Sequence, residues 1–277
     1  VKILLTGSRG FIGRRVGRLL DERGAAWTAF EGDVLRAEDF EPYQECQAII
    51  HLAAKVRQAV PAEELIRVNV SGTINALGFA SAGRRRFILA SSYLYGRPAG
   101  QPIRESAPLS YHDPYSFSKW LAEQAGVAWS RFFGLSGVMV RIFNVYGPGQ
   151  PRGFLIPDLV AGLAAGRLKV RDLSSRRDFI FVEDLAELIV RAALTPTPGL
   201  EAINAGSGRS HSVAEVIELL FELIGRRLPV ENQDRPVAIP DTVADLSRAR
   251  ELLGWSPRTP LREGLASVLA QAGLKPA

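Results

Sequence analysis

The chain has 277 residues, 47% hydrophobic and 23% charged, with 34 Lys and Arg against 29 Asp and Glu for a net charge of +5. That length suffices for a sizeable core, the composition excludes wholesale disorder, and no stretch approaches the roughly 18 consecutive apolar residues of a membrane span. One cysteine, Cys46, excludes an intrachain disulfide, and histidines at 51, 112 and 211 have no familiar metal-site spacing.

Val1–Leu5 reads as a short buried strand, followed by Thr6-Gly7-Ser8-Arg9-Gly10-Phe11-Ile12-Gly13 and an apolar-periodic helix to about Arg23. No basic-then-apolar leader precedes the strand, so a cytoplasmic location is expected. In this strand–turn–helix context Gly7 permits a tight turn, Gly10 lets backbone approach a pyrophosphate, and Gly13 lets the helix pack on the sheet. Further strands are expected at 26–30, 48–52, 86–90 and 136–142, with helices over 62–81 and around Tyr115. Only Glu31 to Ala48 joins the second strand to the third, a short connection. The alternation predicts an α/β fold with a doubly wound parallel sheet, which binds ligands at its carboxyl edge.

After Gly147-Pro148-Gly149 the chain turns irregular, then gives a helix over about 156–165 and a stretch at 179–190 that reads as a return to the sheet. Thr195-Pro196-Thr197-Pro198-Gly199 is the best candidate linker. Arg84-Arg85-Arg86 is the densest basic cluster and is expected on a solvated surface. The other arginines are dispersed among acids, so a polyanionic small substrate explains the charge and no nucleic-acid partner is expected.

The most informative pair is Tyr115 and Lys119, in Pro114-Tyr-Ser-Phe-Ser-Lys119, because a four-residue spacing stacks both side chains on one helix face. A cation within ~4–6 Å favours the phenolate, which suits proton transfer at a sugar or alcohol oxygen. Tyr115 is therefore the expected acid/base.

Taken in order, Thr6-Gly-x-x-Gly-Phe-Ile-Gly13, His51-Leu-Ala-Ala54, Asn69-Val-Ser-Gly-Thr73, Ser91-Ser-Tyr-Leu-Tyr-Gly96, Tyr115-x-x-x-Lys119, Arg141-Ile-Phe-Asn-Val-Tyr-Gly-Pro148, Arg177-Asp-Phe, Asn204-Ala-Gly-Ser-Gly208 and Leu253-Gly-Trp255 form a set. The set resembles the extended short-chain dehydrogenases/reductases of the NAD-dependent epimerase/dehydratase family, which remodel nucleotide-activated sugars. The resemblance runs nearly end to end. It implies a Rossmann-type doubly wound sheet from 1–146 plus 178–201, and a smaller discontinuous substrate domain from 147–177 plus 202–277. It further implies that Lys119 bonds the nicotinamide ribose and that Ser91, four residues before Tyr95, bonds the reacting oxygen in preference to Ser92.

The resemblance assigns the cofactor contacts to Gly7, Arg9, Gly10, Phe11, Ile12, Gly13, Glu31, Asp33, Val34, Leu52, Ala53, Ala54, Tyr115 and Lys119. Glu31 lies where an acid binds both ribose hydroxyls and repels a 2′-phosphate, whereas the Arg9 guanidinium suits that phosphate. The cofactor is NAD or NADP, with a slight lean to NAD. Substrate contacts are expected from Ser92, Tyr93, Asn144, Arg177 and Arg235, the arginines at a diphosphate. His51 and Asn69 are expected to be structural or to support the cofactor loop, and not to react. The expected function is a nucleotide-sugar C4 epimerase or a ketoreductase; a 4,6-dehydratase is disfavoured because Ser92 and Tyr93 stand where that class carries an Asp-Glu pair. A non-catalytic NAD(P)-binding regulatory protein is the alternative, since fold alone never proves turnover. The expected partner is a small nucleotide-sugar, with a homodimer as the candidate assembly and no membrane.

Overall fold

The computed structural model describes residues 1–56, 60–235 and 241–274. In chain order it contains β1 (Ile3–Thr6), α1 (Phe11–Glu22), β2 (Trp27–Ala29), β3 (Ala48–His51), α2 (Ala62–Ile66), α3 (Gly72–Ala82) and β4 (Arg86–Ser92). There follow α4 (Pro114–Phe133), β5 (Gly137–Ile142), β6 (Asn144–Tyr146), α5 (Leu155–Ala164), β7 (Leu168–Val170), β8 (Arg176–Phe181) and α6 (Val182–Leu194). The chain continues through β9 (Leu200–Ala205), β10 (Ser210–Ser212), α7 (Val213–Ile224), β11 (Val230–Asn232), α8 (Ser247–Leu253) and α9 (Leu261–Gln271).

The central sheet is parallel, in the order β2-β1-β3-β4-β5-β9. Helices cover both faces, so its strands are apolar throughout and alternate between two cores. Ile3, Leu5, Ile50 and Ile88 pack with Val16 and Leu20 of α1 and Leu185 and Ile189 of α6. Leu4, Ile49, Phe87 and Leu89 pack on the other side with Leu77 of α3, Ala122 of α4 and Phe40. Because β1 pairs with β2 on one side and β3 on the other, the chain reverses direction there and opens a crevice at the carboxyl ends.

The short β2–β3 connection carries a 3-10 helix, Ala37–Tyr43, instead of a longer α-helix. It is anchored by Phe40, whose ring stacks on Phe30 at 4.4 Å, so two aromatics do the covering that a helix face would otherwise do.

Three expectations are corrected by the packing. The stretch 179–190 does not rejoin the central sheet. Instead β8 pairs with β6 and β10, α6 covers the sheet, and β9 supplies the sixth strand beside β5. The expected boundary after residue 201 therefore falls inside β9, and the piece from 202 onward is also divided: Ala244, Leu246, Ala249 and Trp255 join the core beneath the central sheet. A separate core of Tyr146, Ile156, Leu163, Phe179, Val216, Leu220 and Leu265 holds the smaller lobe. Finally, Arg85 is buried, not solvated: its guanidinium donates to the carbonyls of Phe79 in α3 and of Cys46 and Gln44 just before β3, at 2.7–3.0 Å. No helix among the described residues is long and apolar enough to cross a membrane.

Candidate active site

The glycine loop is shaped by contacts that leave no room for side chains. Gly7 has φ +69°, and a Cβ there would stand 2.7 Å from the Ala53 amide nitrogen at the end of β3. A Cβ on Gly13 would stand 2.1 Å from the Gly7 carbonyl oxygen. The loop therefore lies flat across β1 and β3, closed by a Gly10 N–H to Gly7 O bond of 2.9 Å. Gly10 caps α1 without any side-chain bond, which leaves the amides of the first turn directed at the crevice.

Beside this loop lies a cleft of about 400 Å³, lined by Gly7, Ser8, Arg9, Phe30, Glu31 and Gly32. Backbone amides at one end and the Glu31 carboxylate at the other suit a dinucleotide's phosphates and adenine-side ribose. Arg9 Nη2 and Glu31 Oε1 are 3.1 Å apart and 88% and 66% exposed, so the two opposed determinants of the sequence reading face each other as one pair. Asp33 folds its carboxylate onto the Leu35 amide, and Val34 is buried against Gly72 of α3. Phe11, Ile12, Leu52 and Ala54 are half-buried around the loop.

On the far side of the crevice α4 begins with Asp113, which accepts the Ser116 amide while Ser116 Oγ accepts the Asp113 amide, and Pro114 occupies the first turn. This cap fixes where the helix starts and hence the direction of Tyr115. Tyr115 is half-buried and Lys119, one turn on, is 4% exposed. Burial pulls the Lys119 ammonium down to about 8, with the Glu123 carboxylate opposing that fall.

The phenol is shifted opposite to the direction the sequence reading expects from a neighbouring cation. Burial pushes Tyr115 above its usual range, opposed by a hydrogen bond from Ser92, while Asp113 adds to the rise. In the protein alone the group is an un-ionised acid, and the hydroxyl that favours its ionisation is that of Ser92. Ser91, expected at the reacting oxygen, is 3% exposed and donates to Glu123 Oε1 at 2.5 Å. Counting back from Tyr95 selects a position in sequence; the strand's side-chain alternation decides which hydroxyl reaches the tyrosine.

His51 and Asn69 join the two halves of the site through a buried chain of bonds. Ala53 N–H donates to Thr6 Oγ1 at 3.1 Å, and Thr6 Oγ1 lies 3.0 Å from His51 Nδ1. His51 Nε2 lies 3.2 Å from Thr73 Oγ1, whose hydroxyl donates to Asn69 O at 2.7 Å. Thr73 has thus committed its proton, which assigns the imidazole hydrogen to Nε2 and leaves Nδ1 to accept from Thr6. Burial, with Lys119 nearby, holds His51 near 3, so it stays neutral. Asn69 Nδ2 then donates to Lys55 O and Ser118 Oγ, and Ser118 donates to the Tyr115 carbonyl at 2.7 Å.

On the smaller lobe, Arg177 of β8 is half-buried near Tyr93 and Asp241; burial lowers its guanidinium pKa and those groups oppose the fall. Tyr93 donates to Gly96 O at 2.8 Å and packs edge-on to Phe143. Asn144 opens β6 in register with Phe179, two residues from Arg177. Arg235 is exposed, its amide bonded to Arg171 O at 2.8 Å, and the residues that follow it lie outside the described ones. Among the described residues no cluster of His, Cys, Asp or Glu could hold a metal.

The fold and site define a nicotinamide-dinucleotide-binding α/β protein with a tyrosine–lysine centre. A sequence model of the NAD dependent epimerase/dehydratase family matches residues 3–206, and the chain belongs to that family. It is 30% identical to a UDP-glucuronate 4-epimerase of Thermodesulfobacterium geofontis, over 95% of this chain and 93% of that protein. It is 29% identical to a UDP-glucuronic acid decarboxylase 6 of Arabidopsis thaliana, over 96% and 87%. Among solved structures, a Brucella ovis UDP-glucose 4-epimerase in complex with NAD superposes with a TM-score of 0.90 at 28% identity, covering 100% and 99% of the chains. RMD from Pseudomonas aeruginosa, complexed with NADPH, gives 0.89 at 26% over 98% of each chain. TunA, an NAD-dependent NDP-hexosamine 5,6-dehydratase, gives 0.87 at 28% over 99% and 98%. The chain is thus an enzyme of this family, acting with NAD or NADP.

Proposed function

We propose that the protein acts at C4 of a nucleotide-activated hexose, inverting it by oxidation and reduction, with a UDP-sugar as the substrate class carried by the relatives. The observation that carries this reading is Tyr115 one helical turn before the buried Lys119, at the carboxyl edge of the sheet beside the glycine loop. The Gly7–Gly13 loop and the first turn of α1 hold the dinucleotide phosphates, and Glu31 the adenine-side ribose. When bound, that group supplies the hydride acceptor and donor.

Tyr115 takes the C4 hydroxyl proton as the C4–H bond is broken, and returns it to the keto oxygen as the bond is remade on the opposite face. An un-ionised phenol is the donor needed in the second half of the cycle. To accept the C4 hydroxyl proton Tyr115 first releases its own to solvent and enters the first half of the cycle as the phenolate, stabilised by the nearby Ser92 hydroxyl and by the Lys119 ammonium one turn on, which is protonated at neutral pH because its pKa is about 8. Ser92 also bonds the C4 oxygen, and Arg177 engages the substrate diphosphate with a planar guanidinium. Ser92 and Tyr93 supply no carboxylate for eliminating water across C5 and C6, so the reading excludes a 4,6-dehydratase. A ketoreductase is the companion reading, because the same three groups serve it without change.

The test incubates purified protein with UDP-glucose or UDP-glucuronate and follows the ring protons by NMR. The expected product is the C4 epimer, formed without net consumption of dinucleotide. A 4-keto-6-deoxy product, with its alkaline chromophore, or a pentose released with carbon dioxide would refute the assignment.

A further inference from the structure

Glu123 lies one turn beyond Lys119 on α4, and the two are 1% and 4% exposed. Spacing of this kind ordinarily pairs the two charges directly. Here the carboxylate is claimed from the other direction. Arg141 of β5 donates from Nε to both oxygens at 3.1 Å and from Nη2 to Oε2 at 2.8 Å, and Ser91 of β4 closes on Oε1. Ser91 and Arg141 are direct partners in the β4–β5 register, so two strands and a helix converge on one carboxylate. Arg141 is locked further by Tyr95 Oη at 3.0 Å and the Glu105 carbonyl at 2.9 Å.

We infer that Ser91, Glu123 and Arg141 form a positioning clamp for the proton relay, keeping Glu123 from capturing Lys119 and pinning β4 so that Ser92 meets Tyr115. The inference rests on the reading of Tyr115, Lys119 and Ser92 as the relay. A Lys119–Glu123 pair would neutralise the ammonium and draw it along the helix away from the crevice. With both oxygens held by Arg141, Glu123 offsets only part of what burial takes from Lys119. Adjacent residues of a strand point apart, so pinning Ser91 on Glu123 turns Ser92 toward the crevice. Ser91, Glu123 and Arg141 are all buried, so the clamp acts through Lys119 and Ser92.

The groups that face this pair are few. Lys119 meets Tyr115 and Glu123 on its own helix and His51 on β3, which stays neutral. Glu123 meets Arg141, and beyond it Tyr95 and Glu105. The charge on the clamp is therefore the adjustable influence on Lys119.

The chain has five lysines, so labelling with [6-13C]lysine gives a few Cε resonances, with Lys119 assigned through Lys119→Arg. The shift of that carbon against pH reads the ammonium directly in the full-length protein. Glu123→Gln leaves Arg141 unanswered beside Lys119 and is expected to lower the titration midpoint by about one pH unit or more; Arg141→Gln frees Glu123 and raises it by a similar amount. If an unpaired buried charge prevents either single variant from folding, Glu123→Gln/Arg141→Gln, which carries none, decides the matter. Its midpoint is expected to fall by about half a unit, because the nearer charge removed is the anion. Midpoints that stay put, or that move the same way in both single variants, overturn the clamp. The titration needs no substrate, so absence of C4 chemistry in the wild type would sink the proposed function while leaving this result standing.

Discussion

Replacing Ser92 and Ser91 separately with alanine divides the site between two adjacent hydroxyls that the sequence alone does not distinguish. The Ser92 hydroxyl favours ionisation of Tyr115, so Ser92→Ala is expected to remove a neutral interaction of about 1 kcal/mol with the phenol and a bond to the reacting oxygen of about 1.5–3 kcal/mol as charge develops there. Together these correspond to a fall in kcat of roughly 10²–10³-fold, at about 1.4 kcal/mol per tenfold. Stability should change little, because Ser92 is half-buried and its loss leaves a cleft open to water. Ser91→Ala does the reverse: it removes a buried bond to the Glu123 carboxylate, which costs about 1.5–3 kcal/mol of stability, and lowers turnover less. The assay pairs steady-state turnover of the nucleotide-sugar with urea denaturation of each variant. If Ser91→Ala loses the greater turnover while Ser92→Ala loses the greater stability, the assignment of the two serines is refuted.

Tyr115→Phe is expected to lower turnover by roughly 10²–10⁴-fold while dinucleotide affinity, read by fluorescence titration, stays near wild type; a near-normal rate would remove Tyr115 from the mechanism. Arg177→Ala is expected to weaken nucleotide-sugar binding by about 1.5–3 kcal/mol in calorimetry and leave dinucleotide affinity unchanged, and the opposite pattern would place Arg177 elsewhere. Wild-type protein is expected to bind NAD more tightly than NADP, with Glu31→Gln raising NADP affinity by up to about tenfold, because it removes a repulsive carboxylate and releases Arg9 from its exposed pair. NADP binding at least about tenfold tighter than NAD in the wild type would show that Arg9 prevails over Glu31.

What the sequence by itself determined is whatever depends on short spacing. The strand–glycine–helix start, the alternation that makes a parallel sheet and the Tyr115–Lys119 stack all follow from periods of two and 3.6 residues, which are local properties of the backbone. The Glu123 position was legible on the same grounds, four residues past Lys119, but its role was not. Tertiary structure decided everything that depends on which distant groups share a neighbourhood. Arg141 claims Glu123 only because β5 lies beside β4, in a register fixed by the whole sheet. The same placement takes Ser91 into the core and leaves Ser92 at the crevice. Arg85 is buried because three carbonyl ends converge where the sequence shows only a basic run. The sixth strand is β9, not the apolar stretch at 179–190, because edge pairing is settled by which segment reaches β5. Apolar pattern says that a segment is buried; only the assembled chain says against what.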